Sequence, residues 1–441
     1  MKTFTKEDVL EKAKEYNVKF VRLQFTNIFG TLKNIAITVE EMERALEGKI
    51  SFDSSVIEGF VGRHEADILL NPDPSTFVIF PWRPREGAVA RLICDVLYPD
   101  GTPFRSCCRS VLKKNLEEAE KAGYHLQVGA EIEFFLFQTD DSGKPTVITH
   151  DQAGYCDLTP VDMGENARRD MVLTLQEMGF DVSSSHHEIA PGQHEIFLKD
   201  DDALSMADSI TTFKFVVRTI AQRHGLHATF MPKPVSTFNG SGLHLQMSLW
   251  QNDNNVFYSR TARGGLSNTA KQFIAGLIAH AGALTAVTNP LVNSYKRILS
   301  NDLAPVLAGW SENNRSAMIR VPSWRGADTR VVLRSPDPAS NPYLIMSAAL
   351  QAGLDGITRK LPLQEPLPDD IPAWEVKKII KEKGLPRNLE SALRAFCEDD
   401  VIKKALGESI VNRYLSAKEE EWERFLSAVH QWELDEYLRY Y

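Results

Sequence analysis

Residues 184–195 read Ser-Ser-His-His-Glu-Ile-Ala-Pro-Gly-Gln-His-Glu, and their reading decides the rest. Glu188 and Glu195 flank Ala-Pro-Gly, and Pro191-Gly192 is a strong turn signal. A turn there folds the chain back and lets both carboxylates approach one point, and Glu195 then leads into the strand-like Ile-Phe-Leu. Carboxylates brought together repel, and burial makes this worse. A hard cation relieves it, and Mg²⁺ and Mn²⁺ prefer oxygen ligands. A plain hairpin with two solvated acids is the alternative.

A third source of acid favours the metal. Gln127–Phe137 reads as a strand whose odd positions include Glu131 and Glu133, so both carboxylates point to one face beside the apolar run Phe134-Phe-Leu-Phe137. In Gly242–Trp250, His244, Gln246 and Ser248 share a face opposite Leu243, Leu245 and Met247. His244 follows Asn239-Gly-Ser-Gly242, a loop whose backbone can approach a ligand closely, and joins the acids as a candidate ligand.

The remaining chain frames these stretches. With 441 residues there is room for two to three domains, and 43% hydrophobic with 25% charged content marks an ordinary globular chain. A net charge of −9 argues against nucleic acid as the main partner, and no run has the length of a membrane span. Five cysteines without paired metal spacing, two of them adjacent, read as reduced thiols in a cytoplasm.

A capped helix (5–16), strands at 21–26, 32–39, 77–80 and 89–96 and a helix at 40–46 describe a small α+β domain ending near Gly101-Thr-Pro103. Helices then fit 109–121, 165–178, 202–223, 268–288 and 342–353, and strands fit 226–230, 243–249 and 317–321. A Pro-rich connection spans 361–373, and charged amphipathic helices follow it. Arginines cluster late, at 297, 315, 320, 325, 330 and 334, on or beside apolar strand-like runs. Ordinary salt bridging is one reading of them. Metal-binding acids together with arginine forks also suit phosphoryl transfer from a nucleotide to a carboxylate. Neither a Walker A sequence nor Gly-x-Gly-x-x-Gly occurs, so the nucleotide would be held by another architecture.

Six stretches carry a family resemblance: Glu131-Ile-Glu-Phe-Phe, His186 to Glu195, Asn239-Gly-Ser-Gly-Leu-His244, Asn293-Ser-Tyr-Lys-Arg297, Asn314-Arg-Ser-Ala-Met-Ile-Arg320 and Arg334-Ser-Pro-Asp-Pro. Together they resemble type I glutamine synthetases over essentially the full chain. The resemblance implies an α+β chain, with a small β-grasp-like domain (1–103) and a large catalytic domain (104–441) built on a curved antiparallel sheet with flanking helices. It also implies dodecamers of two hexameric rings, with active sites between subunits. The implied reaction uses ATP and Mg²⁺ or Mn²⁺ to join glutamate to ammonia or another amine through γ-glutamyl phosphate.

By motif, one metal would take Glu133, Glu188 and Glu195, and the other Glu131, His244 and a third acid. Asn239, Gly240, His244, Arg297 and Arg334 correspond to substrate contacts. Arg315, Arg320 and Arg330 correspond to nucleotide and phosphate contacts, and Ser248 lies near the adenine. Arg297 and Arg315 fall at catalytic positions, as do Asn27 and Leu303, both of which are substituted.

The departures share a direction. The ammonium-site Phe-Thr-Asp is Phe25-Thr26-Asn27, the flap Gly-Tyr-Glu-Ala-Pro is Asn301-Asp-Leu-Ala-Pro305, and Arg-Val-Glu-x-Arg is Arg330-Val-Val-Leu-Arg334. Val332 thus stands where the last acid of the second metal site is expected, and Gly62, followed by Arg63, stands where a feedback-associated arginine is expected. Each of the first three changes removes negative charge from the centre. Three functional readings follow: a γ-glutamyl ligase for an amine other than ammonia, a catalytically impaired paralogue with a binding or regulatory role, and an ordinary glutamine synthetase.

Overall fold

The computed structural model describes residues 4–58, 67–84, 86–299, 304–371 and 373–441. The expectations for Leu303 with Asn301 and Asp302, and for Gly62 and Arg63, lie outside these residues.

Alternating apolar residues build the first sheet. In β1 (Val18–Thr26) Val21, Leu23 and Phe25 are buried, and they meet Val9 and Ala13 of the helix Lys6–Glu15 and Met42 and Leu46 of the helix Met42–Leu46. Thr5 caps the first helix through a reciprocal bond with Asp8. β2 (Leu32–Thr38) pairs antiparallel with β1, while β5 (Ala88–Leu97) lies parallel on its other side. β4 (Asp67–Ile79) and β3 (Ile50–Asp53) extend the sheet in the order β2-β1-β5-β4-β3. The strand expected at 77–80 is only the end of β4. Pro72 and Pro74 conceal its first part, and a register shift between Asp73 and Val78 accommodates them.

The second sheet has β6 (His125–Thr139) as its spine. The other strands of this sheet are β7 (Pro145–Thr149), β8 (Val182–His187), β9 (Gln193–Asp202), β10 (Leu226–Thr229), β11 (Leu243–Gln251), β12 (Asn254–Asn255), β13 (Leu307–Ser311), β14 (Ala317–Arg320) and β15 (Val331–Leu333). The main path runs β13-β14-β15-β11-β6-β9-β8, antiparallel except for the β13–β14 pair. One face packs on helices Ala203–Arg223, Asn268–Ala279 and Pro342–Thr358 in a single large core.

Arg109 joins the two sheets. It is buried, with Nη2 at 2.7 Å from Asp73, Nη1 at 2.9 Å from Asp95 and Nε at 3.0 Å from Asp208. Asp208 also accepts from the Tyr343 hydroxyl at 2.7 Å. At Gly30, φ is +78° and an added Cβ would lie 2.9 Å from Asn341 Cα, so the loop after β1 is seated closely on the second sheet's helices.

The single helix expected over 268–288 is two, Asn268–Ala279 and Ala281–Thr288, bent by 73°. The break falls at His280, whose Nδ1 meets Asp399 at 2.6 Å and whose Nε2 meets Asp355 at 3.1 Å. Among the described residues no single helix is long and apolar enough to cross a membrane, and this bent pair, which passes by composition, is largely core. Arg297 likewise stands on a helix, Val292–Leu299, and not beside a strand, because that helix buries Tyr295 and Ile298.

Burial opposes charge on His280, but its two carboxylate partners outweigh this and raise its pKa above the ordinary value. A raised folded-state pKa stabilises fully below the unfolded value of about 6.5 and is lost as pH rises through the folded value. The His280→Asn substitution is therefore expected to destabilise more at pH 6 than at pH 9. Urea melts at both pH values check this, and an equal loss at both would rule out the charged imidazole as the brace.

Candidate active site

Strand register assembles the site. Gln127, Gly129, Glu131 and Glu133 share one face of β6. Glu131 faces His244 on β11, Glu133 faces Glu195 on β9, and Glu195 in turn faces His186 on β8. The turn between β8 and β9 returns Glu188 to the same place. It is closed by Glu188 N donating to Gln193 O at 2.7 Å and Gln193 N to Ala190 O at 2.9 Å. Gly192 has φ +66°, and a Cβ there would stand 2.8 Å from Leu136 O, so the turn requires glycine. Asp151, buried behind the turn, accepts from Gly192 N at 2.8 Å and faces His187 Nε2 at 3.3 Å.

The acids are arranged as two groups that share Glu195. His186 Nε2 lies 2.9 Å from Glu188 and 3.2 Å from Glu195, and these bonds raise the His186 pKa to about 10, favouring the protonated ring between the two carboxylates while no cation is bound. Glu131, Glu195 and His244 offer ligand atoms within 4.8 Å of one another, as do His186, Glu188 and Glu195. Glu133 stands between the groups, with its Oε1 4.0 Å from His244 Nε2 and its Oε2 accepting from Gly242 N at 2.8 Å and Gln193 Nε2 at 3.1 Å. Burial, then the charges of Glu195 and Glu188, push Glu133 well above the usual carboxylate range. Burial likewise raises Glu195, whose Oε1 is buried without a hydrogen-bond partner. An orphaned carboxylate oxygen beside further acids and an imidazole fits a hard divalent cation. Glu133, Glu188 and Glu195 would hold it, and it would neutralise charge and polarise a phosphoryl oxygen.

The group around Glu131 takes its further acid from the shared Glu195 and none from position 332. Glu131 accepts from His244 Nδ1 at 2.9 Å and Gln246 Nε2 at 2.5 Å. Val332 is buried and paired in register with Gln246, so no oxygen comes from that position.

A third acid–imidazole cluster, Asp151, Asp162, His187 and His194, lies buried behind the face. Arg168 already supplies its cation, with Nη1 2.7 Å from Asp162 and 2.8 Å from His194 Nδ1. Arginine only donates, so Nδ1 accepts and the hydrogen of this neutral imidazole sits on Nε2. The cluster supports the turn, with Arg168 as its cation.

The loop before β11 approaches Arg297. A Cβ at Gly240 would stand 2.9 Å from Arg297 Cγ, and one at Gly242 would stand 2.7 Å from its Nη2. Buried Arg297 donates from Nη1 to Ser335 O at 2.9 Å and from Nη2 to Arg334 O at 3.2 Å. Arg334 donates to Arg315 O at 2.7 Å; burial, then Arg297, lower its pKa to about 10. Asn239 is half-buried beside this loop, and Arg315 and Arg320 are exposed at the rim. Arg330 Nη1 donates to Gln246 Oε1 at 2.6 Å. Ser248, on the same face further along β11, accepts from Trp250 Nε1 at 2.9 Å.

Asn27 is elsewhere. Its Oδ1 accepts from Phe29 N at 3.1 Å and Thr31 N at 2.9 Å, closing the loop after β1, and no described contact joins it to the carboxylate face of the same chain. Three contributors were not assigned roles by sequence reasoning: His186, Gln193 and Asp151. The first two are within the quoted motif, and only the β8–β9 register reveals what they touch.

A β-grasp sheet followed by an acid-bearing sheet with an arginine rim defines the ATP-dependent carbon–nitrogen ligases of the glutamine synthetase class. The chain belongs to the glutamine synthetase family: the model "Glutamine synthetase, beta-Grasp domain" matches residues 17–99 and "Glutamine synthetase, catalytic domain" matches 105–437. It is 53% identical to a glutamine synthetase of Clostridium saccharobutylicum over 444 residues, covering all of both chains. It is 50% identical to that of Staphylococcus aureus over 443 residues, covering all of this chain and 99% of the relative. Among solved structures it is similar to a GmaS/ADP complex, with 32% identity and TM-score 0.88 over 98% of this chain and 99% of that one. It is also similar to Plasmodium falciparum glutamine synthetase, with 26% identity and TM-score 0.87 over 99% of both.

The asymmetry of the acid groups sets an expected stoichiometry. Calorimetry with Mn²⁺ should show one tight site per chain, weakened at least ~10-fold in the Glu195→Gln variant. The Val332→Glu variant should add a second tight equivalent. Two tight sites in the unaltered protein would refute this assignment.

Proposed function

We propose that this protein is an ATP-dependent ligase that joins the γ-carboxylate of glutamate to an amine other than ammonia, through γ-glutamyl phosphate. The carrying observation is a site that keeps its acid cluster and arginines while Asn27, Leu303 and Val332 stand uncharged where the family pattern has acids. Glu188 and Glu195 converge with His186, Glu131 and Glu195 with His244, Glu133 stands 4.0 Å from His244, and Arg297 is held against the Gly240–Gly242 loop. The substituted positions are neutral, with Asn27 bonded to its own loop and Val332 buried.

Chemically, Arg297 and Arg334 would bind the glutamate carboxylate, and Arg315, Arg320 and Arg330 would face the nucleotide phosphates. The similarity to a protein solved with ADP supports a nucleotide on this face. Capture of ammonium needs a negative group that holds the cation and then takes a proton. An alkylamine is also protonated near neutral pH and must also lose a proton before and after attack, so the neutral positions bear on which amine fits: an apolar wall favours its carbon substituents over bare ammonium. Asn27 would act across a subunit boundary, so the reading includes a closed homo-oligomer, a dodecamer of two rings. Five free thiols suit a cytoplasmic setting.

Phosphate release from ATP and glutamate should be fast with one or more small alkylamines and at least ~100-fold slower with ammonia. The triple change Asn27→Asp, Leu303→Glu and Val332→Glu should raise the ammonia rate. Fast turnover of ammonia by the unaltered protein would overturn the proposal. No phosphate release with any amine, together with retained ADP binding, would favour the impaired paralogue.

A further inference from the structure

The nucleotide end of the acid face contains a carboxylate with no part in the site described above. Asp200 lies near the end of β9, where the pairing with β6 shifts register, beside Gly129, two residues from Glu131 on the same face of β6. A Cβ at Gly129 would collide with the Asp200 carboxylate, so that carboxylate lies directly over bare backbone. It meets the Arg330 guanidinium, Nη1 to Oδ1, at 3.3 Å. The same Nη1 donates to Gln246 Oε1 at 2.6 Å, and Nε donates to Asp328 O at 3.1 Å. Gln246 in turn donates through Nε2 to Glu131. Acid, amide, guanidinium and acid thus form one chain along the sheet.

Arg330 in this arrangement is occupied. Its bond to Gln246 is short and fixed by the strand pairing; that to Asp200 is the long one, to a side chain 30% exposed. Asp200 and Gln246 accept from the same Nη1, so a phosphate oxygen arriving at Arg330 displaces the longer bond, that to Asp200, whose carboxylate it also repels.

The geometry points to Asp200 as a built-in competitor of the nucleotide phosphates: it holds Arg330 when the site is empty and lowers affinity for a nucleoside di- or triphosphate. Asp200 is a positioning residue acting through Arg330, and the inference rests on the reading that Arg330 meets the nucleotide. Release of Arg330 from Asp200 frees one N–H of Nη1 for phosphate while Gln246 keeps the other in register; Nη2 faces the exposed Asp328 carboxylate only at 3.7 Å. The exposed pair is weak, so its removal has a modest and measurable effect.

The test is calorimetric titration of the full-length protein with MgADP. Asp200→Asn, near-isosteric at a partly exposed position, should bind MgADP about two- to fivefold tighter. Asp200→Glu, which restores the charge, should return to the unaltered affinity, and the gain should vanish in Asp200→Asn combined with Arg330→Ala. Unfolding midpoints near that of the unaltered protein confirm intact folds. Unchanged or weaker MgADP binding by Asp200→Asn, while Arg330→Ala alone weakens it, overturns the competitor role and leaves the nucleotide site standing. Unchanged binding by Arg330→Ala overturns both.

Discussion

Carboxylates forced onto one face by strand register are the constraint on which the rest of this structure depends. Glu133 and Glu195 are cross-strand partners, Glu188 is folded back beside them, and Glu131 is two residues along the same strand. Taking such groups out of water without compensation costs on the order of several kcal/mol per ion. The protein surrounds them with donors: His186 between two acids, Gly242 N and Gln193 on Glu133, and His244 and Gln246 on Glu131. The buried cluster behind the turn has the same purpose at one remove, since Asp151 fixes Gly192 and with it the separation of Glu188 from Glu195. What these donors leave unsatisfied, Glu195 Oε1, defines where a cation is still wanted.

The position of the small domain follows from a second set of buried charges. Arg109 meets three aspartates, two from the first sheet's β4 and β5 and one from a helix under the second sheet. Breaking one member of such a group leaves an uncompensated buried charge, typically a loss of 3–5 kcal/mol, or about that order. Gly30 seated on Asn341 and the bond from Asn341 to Asn27 O add a second anchor. The loop that displays Asn27 is therefore set by the catalytic domain of its own chain.

Much of this was legible in the sequence. The Pro-Gly turn, the shared face of Glu131 and Glu133, and His244 after a glycine loop all follow from local periodicity and turn chemistry, and the structure has each. What was not legible depends on partners distant in sequence. β8 is Val-Ser-Ser-Ser-His-His, without the apolar alternation of a half-buried strand, so His186 had no visible neighbour. Helical periodicity runs through His280 unbroken, and the bend comes from carboxylates some 75 and 119 residues away. Arg297 sat among strand-like residues, but tertiary burial of Tyr295 and Ile298 makes that run a helix. Asp200 was one of three consecutive aspartates and gave no local sign of meeting Arg330.

The two acid groups also differ in what they demand. Glu131 receives one hydrogen bond from an imidazole and one from an amide, and that amide is oriented by Arg330, which can only donate and so fixes which end of Gln246 faces the acid. A carboxylate with both oxygens bonded and a guanidinium one amide away is already compensated. Replacement of the expected acid by Val332 is consistent with this, because a further carboxylate beside Glu131 would need a cation that the amide otherwise makes unnecessary. Glu195 is compensated on one oxygen only: His186 meets its Oε2, while its Oε1 faces no donor. The asymmetry therefore starts with the residues themselves. Charge on the Glu195 side calls for an ion from solution, whereas charge on the Glu131 side is balanced by the chain.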